Sequence, residues 1–128
     1  MPKISILVAV YNTAVYLPQC LDSLLSQTLK DIEVLCVDDA STDKSLEILH
    51  QYAEKDERVK VFALKENRGI GYARNMALSN ASGDYICFVD SDDWLASTAL
   101  EKVCEAFTDE VDSVLFQVVH HYANGEEK

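Results

Sequence analysis

The sequence predicts an open, mainly parallel α/β sheet with flanking helices. Strand-like and helix-like segments alternate along the chain, and the strand-like runs are almost wholly apolar rather than alternating. Such runs are expected where helices cover both faces of a parallel sheet. The 128 residues, 48% hydrophobic and 26% charged, suffice for one core, so a single domain is expected.

The first strand is the run ISILVAV from Ile4 to Val10. Leu17, Leu21, Leu24 and Leu25 then recur at helical spacing. Pro18 suits a first turn, Asn12 or Thr13 offers a cap, and the helix should end near Gln27. A second strand spans Ile32 to Val37. It is followed by a helix carrying Leu46, Ile48, Leu49, Tyr52 and Ala53, with capping chemistry at Ser41 to Asp43. The third strand, Val59 to Leu64, leads through a loop at Asn67 to Gly69 into a helix that contains Arg74, Met76, Ala77 and Leu78 and ends before Gly83. Tyr85 to Val89 is the fourth strand. Thr98 and Glu101 have capping-box spacing, so a helix from about Ala99 to Phe107 follows, and Val111 to Val119 reads as a further strand. Only Asn124 to Lys128 reads as a tail.

Acidic residues outnumber basic ones by 22 to 11, a net charge of −11, which makes nucleic acid an unfavourable partner. A phosphate-bearing small ligand is compatible with that charge if carboxylates hold a bridging divalent cation. Cys20, Cys36, Cys87 and Cys104 form no CxxC pair and sit among apolar neighbours, so buried free thiols are expected. Together with the lack of a signal peptide or any apolar run approaching about 18 residues, this suggests a cytoplasmic chain, one that could still meet the inner face of a membrane through other parts.

Ligands of open α/β sheets bind beyond the carboxyl ends of the strands. Three of those ends are polar here: Tyr11 and Asn12 after the first, Asp38 and Asp39 after the second, and Asp90, Ser91, Asp92 and Asp93 after the fourth. Clustered carboxylates repel one another unless a cation or buried donors compensate them. Asp90-Ser91-Asp92, read as an extended segment, places two carboxylates on one side, and oxygen-only ligation favours Mg²⁺ or Mn²⁺. Helix caps and turns compete as explanations for Asp38 and Asp39, and account for one or two of the residues at 90 to 93 but not all. Tyr11 is either a core aromatic or a platform for a nucleobase, and Asp39 could accept from an imide N–H, which uracil has and cytosine lacks. Arg68 and Arg74 are candidates for contacting diphosphate or base, against the alternative of surface ion pairs. His50, His120 and His121 have no metal-ligand spacing.

Taken together, ISILVAVYN, LDSLLSQT, IEVLCVDDASTD, ENRGIGYARNMAL and ASGDYICFVDSDDWL resemble the family 2 glycosyltransferases of the GT-A fold, in the family's order, over residues 4 to 95. The resemblance implies transfer of a sugar from a nucleotide-sugar donor, a UDP-sugar by the base reading, to an acceptor hydroxyl of a saccharide or lipid-linked saccharide, with inversion and with Mn²⁺ or Mg²⁺. It implies a uracil pocket at Ala9 and Tyr11, base contact at Asp39, a looser nucleotide contact at Arg68, and a DxD motif at Asp90, Ser91 and Asp92. Asp92, with Asp90, would hold the metal. The family's catalytic base lies after that motif in an acceptor-binding half that normally extends well past residue 128. The chain therefore reads as the nucleotide-sugar-binding part of a truncated GT-A domain, inactive alone, with a non-catalytic nucleotide-sugar-binding module as the alternative.

Other α/β readings fit less well. A response-regulator receiver domain needs an acidic pair after its first strand and a lysine near its last, and this chain has Tyr-Asn and VLFQVVHHY there. Dinucleotide-binding oxidoreductases and nucleotidyltransferases need a glycine-rich loop after the first strand, and Tyr11 to Val15 contains no glycine.

Overall fold

The computed structural model describes residues 3–106. They form eight alternating elements: β1 (Ile4–Val10), α1 (Leu17–Leu25), β2 (Ile32–Asp38), α2 (Ser45–Lys55), β3 (Val59–Ala63), α3 (Ile70–Ser79), β4 (Tyr85–Phe88) and α4 (Ala99–Ala106). The four strands make one all-parallel sheet in the order β3-β2-β1-β4. The expected strand at Val111 to Val119 and the expected helix end at Phe107 lie outside the described residues. No helix among the described residues is long and apolar enough to cross a membrane.

The apolar runs of the two central strands, β1 and β2, are buried on both faces, as in a parallel sheet covered by helices, while β3 and β4 at the edges are partly exposed. On one face Ile4, Ile6, Val8 and Val10 of β1 join Val34 and Cys36 of β2 under Leu17, Leu21 and Leu24 of α1 and Leu49 of α2. On the other, Leu7, Leu35 and Val37 meet Ala73 and Ala77 of α3, small residues that let this helix lie close to the sheet. The two-residue period of a strand and the helical spacing of the leucines thus divide one apolar set between two cores.

Local capping differs from expectation. Neither Asn12 nor Thr13 caps α1 with its side chain; Tyr16 precedes the helix, and the Thr13 carbonyl accepts the Tyr16 and Leu17 amides. Asn12 adopts φ 52°, and its Oδ1 accepts the backbone N–H groups of Thr42 and Asp43, tying the loop after β1 to the loop after β2. Lys44, rather than Ser41 to Asp43, immediately precedes α2, although Asp43 Oδ1 still accepts from Ser45 N at 2.9 Å. For α1, the Asn12 Oδ1 acceptor is taken up by the loop after β2 and not by the helix start.

At the amino end of the sheet, Glu33 is buried. Its Oε2 accepts from Ser5 Oγ and from Ser82 N and Oγ, and its Oε1 pairs with Lys60 Nζ at 3.0 Å. Burial by itself opposes ionisation, but these donors outweigh it and hold the carboxyl at about 2. The same junction admits no side chain at Gly83, where a Cβ would lie 2.6 Å from Ser5 N. One charge therefore joins β1, β2, β3 and the lead-in to β4.

Candidate functional site

The chain runs outward through β1, β2 and β3, then crosses to the far side of β1 to form β4. That reversal places a crevice at the carboxyl ends of β1 and β4, where open α/β sheets bind ligands. A cavity of about 570 Å³ occupies it.

Six of the seven residues expected to bind nucleotide or metal line this cavity: Ala9, Tyr11, Asp39, Asp90, Ser91 and Asp92. Tyr11 is 48% exposed, so its ring is a wall of the cavity and not a core aromatic. Arg68 stands apart. Its guanidinium pairs with Glu66 at 2.8 Å and lies over the Tyr72 ring, while its loop neighbours Asn67 and Gly69 line the cavity instead. Residue type and spacing identify that loop but single out neither of these two residues. Thr13, Ile70 and Ala73 also went unassigned; nothing in the local pattern distinguishes them from ordinary loop and helix residues.

Asp39 is 4% exposed, and its two carboxylate oxygens accept the backbone N–H groups of Arg68 and Gly69 at 2.7 and 2.9 Å. Gly69 has φ 93°, a conformation that favours glycine. Asp39 thereby fixes the loop from Asn67 to Gly69 against the cavity, and each carboxylate oxygen keeps a lone pair for a further donor. Asp38 belongs elsewhere. It is buried at the end of β2, where Oδ2 accepts from Ser41 N, and it does not line the cavity.

The acidic segment is a turn and not the extended run expected, because Asp93 N donates to the Asp90 carbonyl at 3.0 Å. Turning the chain brings in a third group: carboxylate oxygens of Asp90, Asp92 and Asp93 all lie within 4.8 Å of one another. Ser91 points inward, where its Oγ accepts from Thr13 Oγ1 at 2.8 Å. Arg74 pairs with Asp90 at 3.1 Å, as the surface ion-pair reading had it, yet it also lines the cavity. Three carboxylate oxygens grouped this closely form an all-oxygen set of the kind that Mg²⁺ and Mn²⁺ take.

The field of the turn reaches the core behind it. Burial first, and then the negative charges of Asp93, Asp92 and Asp90, push the Cys20 thiol up to about 12. Burial also raises the thiols of Cys36 and Cys87. All four cysteines are free, as expected, and Cys20, Cys36 and Cys87 are buried.

The chain is similar in sequence and in structure to known glycosyltransferases. An uncharacterized glycosyltransferase of Haemophilus influenzae is 50% identical over 102 residues, which are 80% of this chain and 41% of that protein. Staphylococcus aureus TarS, solved in complex with UDP, superposes with a TM-score of 0.75 at 39% identity, over 80% of this chain and 31% of that one. A mannosyltransferase from Pyrobaculum calidifontis, solved with GDP-Man and Mn²⁺, gives a TM-score of 0.66 at 30% identity, over 73% of this chain and 28% of that one. The chain thus spans less than half the length of each protein it matches here. Glycosyl transferase family 2 matches residues 5–128, and to that family the chain belongs.

Proposed function

We propose that this chain binds the nucleotide-sugar donor, a UDP-sugar, of an inverting glycosyltransferase that uses a divalent metal and an acceptor hydroxyl on a saccharide or lipid-linked saccharide. The observation that carries the reading is the convergence of Tyr11, Asp39 and the acidic turn Asp90–Asp92 on one cavity at the strand-order reversal. Tyr11 offers its ring as a stacking face beside Ala9, and Asp39 offers a lone pair to the imide N–H of uracil. Arg68 contributes through its backbone, which Asp39 holds in place. Asp92 and Asp90 hold Mn²⁺ or Mg²⁺, with Asp93 within reach. A divalent ion there supplies positive charge for a departing diphosphate. The UDP bound by TarS and the Mn²⁺ in the mannosyltransferase structure support the donor and metal assignments. The free thiols agree with a cytoplasmic setting.

One feature favours a narrower role for these residues taken alone. Apart from Asp39 and the acidic turn, no carboxylate lines the cavity among the described residues, so none of them offers a further carboxylate to take the acceptor proton. On this reading the polypeptide is a donor-binding module without transfer activity. Sugar transfer to an acceptor by this chain alone would refute that role.

Calorimetric titration of UDP with and without Mn²⁺, on the wild type and on Asp92→Ala, tests the central assignment. Metal-enhanced binding that disappears in Asp92→Ala is expected. A folded, cooperatively melting chain that binds no UDP under either condition would overturn it.

A further inference from the structure

The segment after the acidic turn has little local structure of its own. Between Asp93 and the start of α4 at Ala99 there is neither strand nor α-helix, so its backbone groups need partners from elsewhere. They find them along one side of α1 and its exit. Cys20 Sγ donates to the Asp90 carbonyl at 3.6 Å, and Ser23 Oγ accepts from Leu95 N at 3.1 Å. Gln27 Nε2 donates to the Ala96 carbonyl at 2.7 Å, its Oε1 accepts from Leu100 N at 3.1 Å, and Thr28 N donates to the Ser97 carbonyl. Cys20 and Ser23 lie one turn apart on α1 and Gln27 lies just past its end, and together they grip the chain at the start of the turn and beyond it.

Gln27 is the centre of this grip. It is wholly buried, and its amide also donates to the Ser23 carbonyl, so one side chain satisfies three backbone groups from two segments. An apolar residue of the same size would fill the space equally well and would need none of those partners. The amide's contribution is therefore directional: it fixes where the chain must go after Asp93.

We propose that Gln27, assisted by Ser23, is a positioning residue that holds the Asp90–Asp93 turn in metal-binding geometry through the chain that follows it. This rests on the metal assignment above. Loss of a group bonded directly to a metal ligand typically weakens metal binding about 10- to 100-fold, and Gln27 acts one step further out, through Ala96 and Leu100, so its effect falls at or below the low end of that range.

Mn²⁺ alone, titrated by electron paramagnetic resonance, is the probe, with metal-free UDP affinity as a second readout. Gln27→Leu should weaken Mn²⁺ binding several-fold, up to about 10-fold, and Ser23→Ala by a few-fold, with metal-free UDP affinity within about twofold of wild type. Leu49→Val, an apolar core change in α2 that lowers the melting temperature and removes none of these hydrogen bonds, should leave Mn²⁺ affinity unchanged. If Gln27→Leu does not fold, Ser23→Ala decides the matter. Wild-type Mn²⁺ affinity in the folded variants, or an equal loss in Leu49→Val, overturns the positioning role alone. Failure of the wild type to bind Mn²⁺ overturns the metal assignment and the positioning role with it.

Discussion

Neutralising Glu33 should remove a stabilisation that depends on pH in a defined window. In Glu33→Gln the side chain keeps one oxygen for the Ser5 and Ser82 donors but presents an amide, not a carboxylate, to Lys60. Because the folded-state value of about 2 lies below the ordinary 4.5, the charge stabilises the fold above pH 4.5, and that contribution is lost as pH falls through 2. At ~1.4 kcal/mol per unit the full contribution is about 3 kcal/mol near neutrality, and roughly 1.4 kcal/mol of it survives at pH 3. Urea unfolding of wild type and Glu33→Gln at pH 7 and pH 3 reads it directly, since the other titrating groups cancel in the difference. The gap between the two proteins should narrow by about half between those pH values. An equal gap at both would refute the argument, because it would mean that the substitution acts through packing and not through charge.

Gly83→Ala should destabilise the fold by about 1–3 kcal/mol in thermal melts, since the added methyl meets the Ser5 backbone nitrogen at 2.6 Å and the Ile4 carbonyl carbon at 2.9 Å, atoms that cannot rotate away. Asp39→Asn places an amide N–H against one of the two backbone N–H groups that the carboxylate now accepts. UDP affinity should fall about tenfold, and the preference for UDP over CDP should shrink; calorimetry showing an unchanged UDP-to-CDP ratio would remove Asp39 from base recognition.

The fold was legible because it depends on patterns that read locally. Apolar runs long enough for a strand and leucines at helical spacing each specify an element and the face it buries, and their alternation leaves the parallel sheet as the compact solution. Element ends were less legible. The capping side chains proposed for α1 and α2 are polar residues near helix starts, and Asn12 turned out to be engaged with Thr42 and Asp43, thirty residues away in the chain. A helix-start pattern cannot register a competing partner supplied by another loop.

The sequence by itself determined which strand ends are polar, hence that Tyr11, Asp39 and Asp90 to Asp92 belong to one end of the sheet. Only the tertiary structure decided how they are held. The strand order β3-β2-β1-β4 makes β1 and β4 neighbours, and so brings residue 11 beside residue 90. Asp39 spends its charge on the Arg68 and Gly69 amides, the 90–93 turn adds Asp93 to the acidic pair, and Gln27 holds the chain beyond it. Apart from the local 90–93 turn, each of these is a hydrogen bond or close approach between residues far apart in sequence. Residue type and spacing show which groups are available for such contacts, while the packing of the sheet and helices selects the partners they meet.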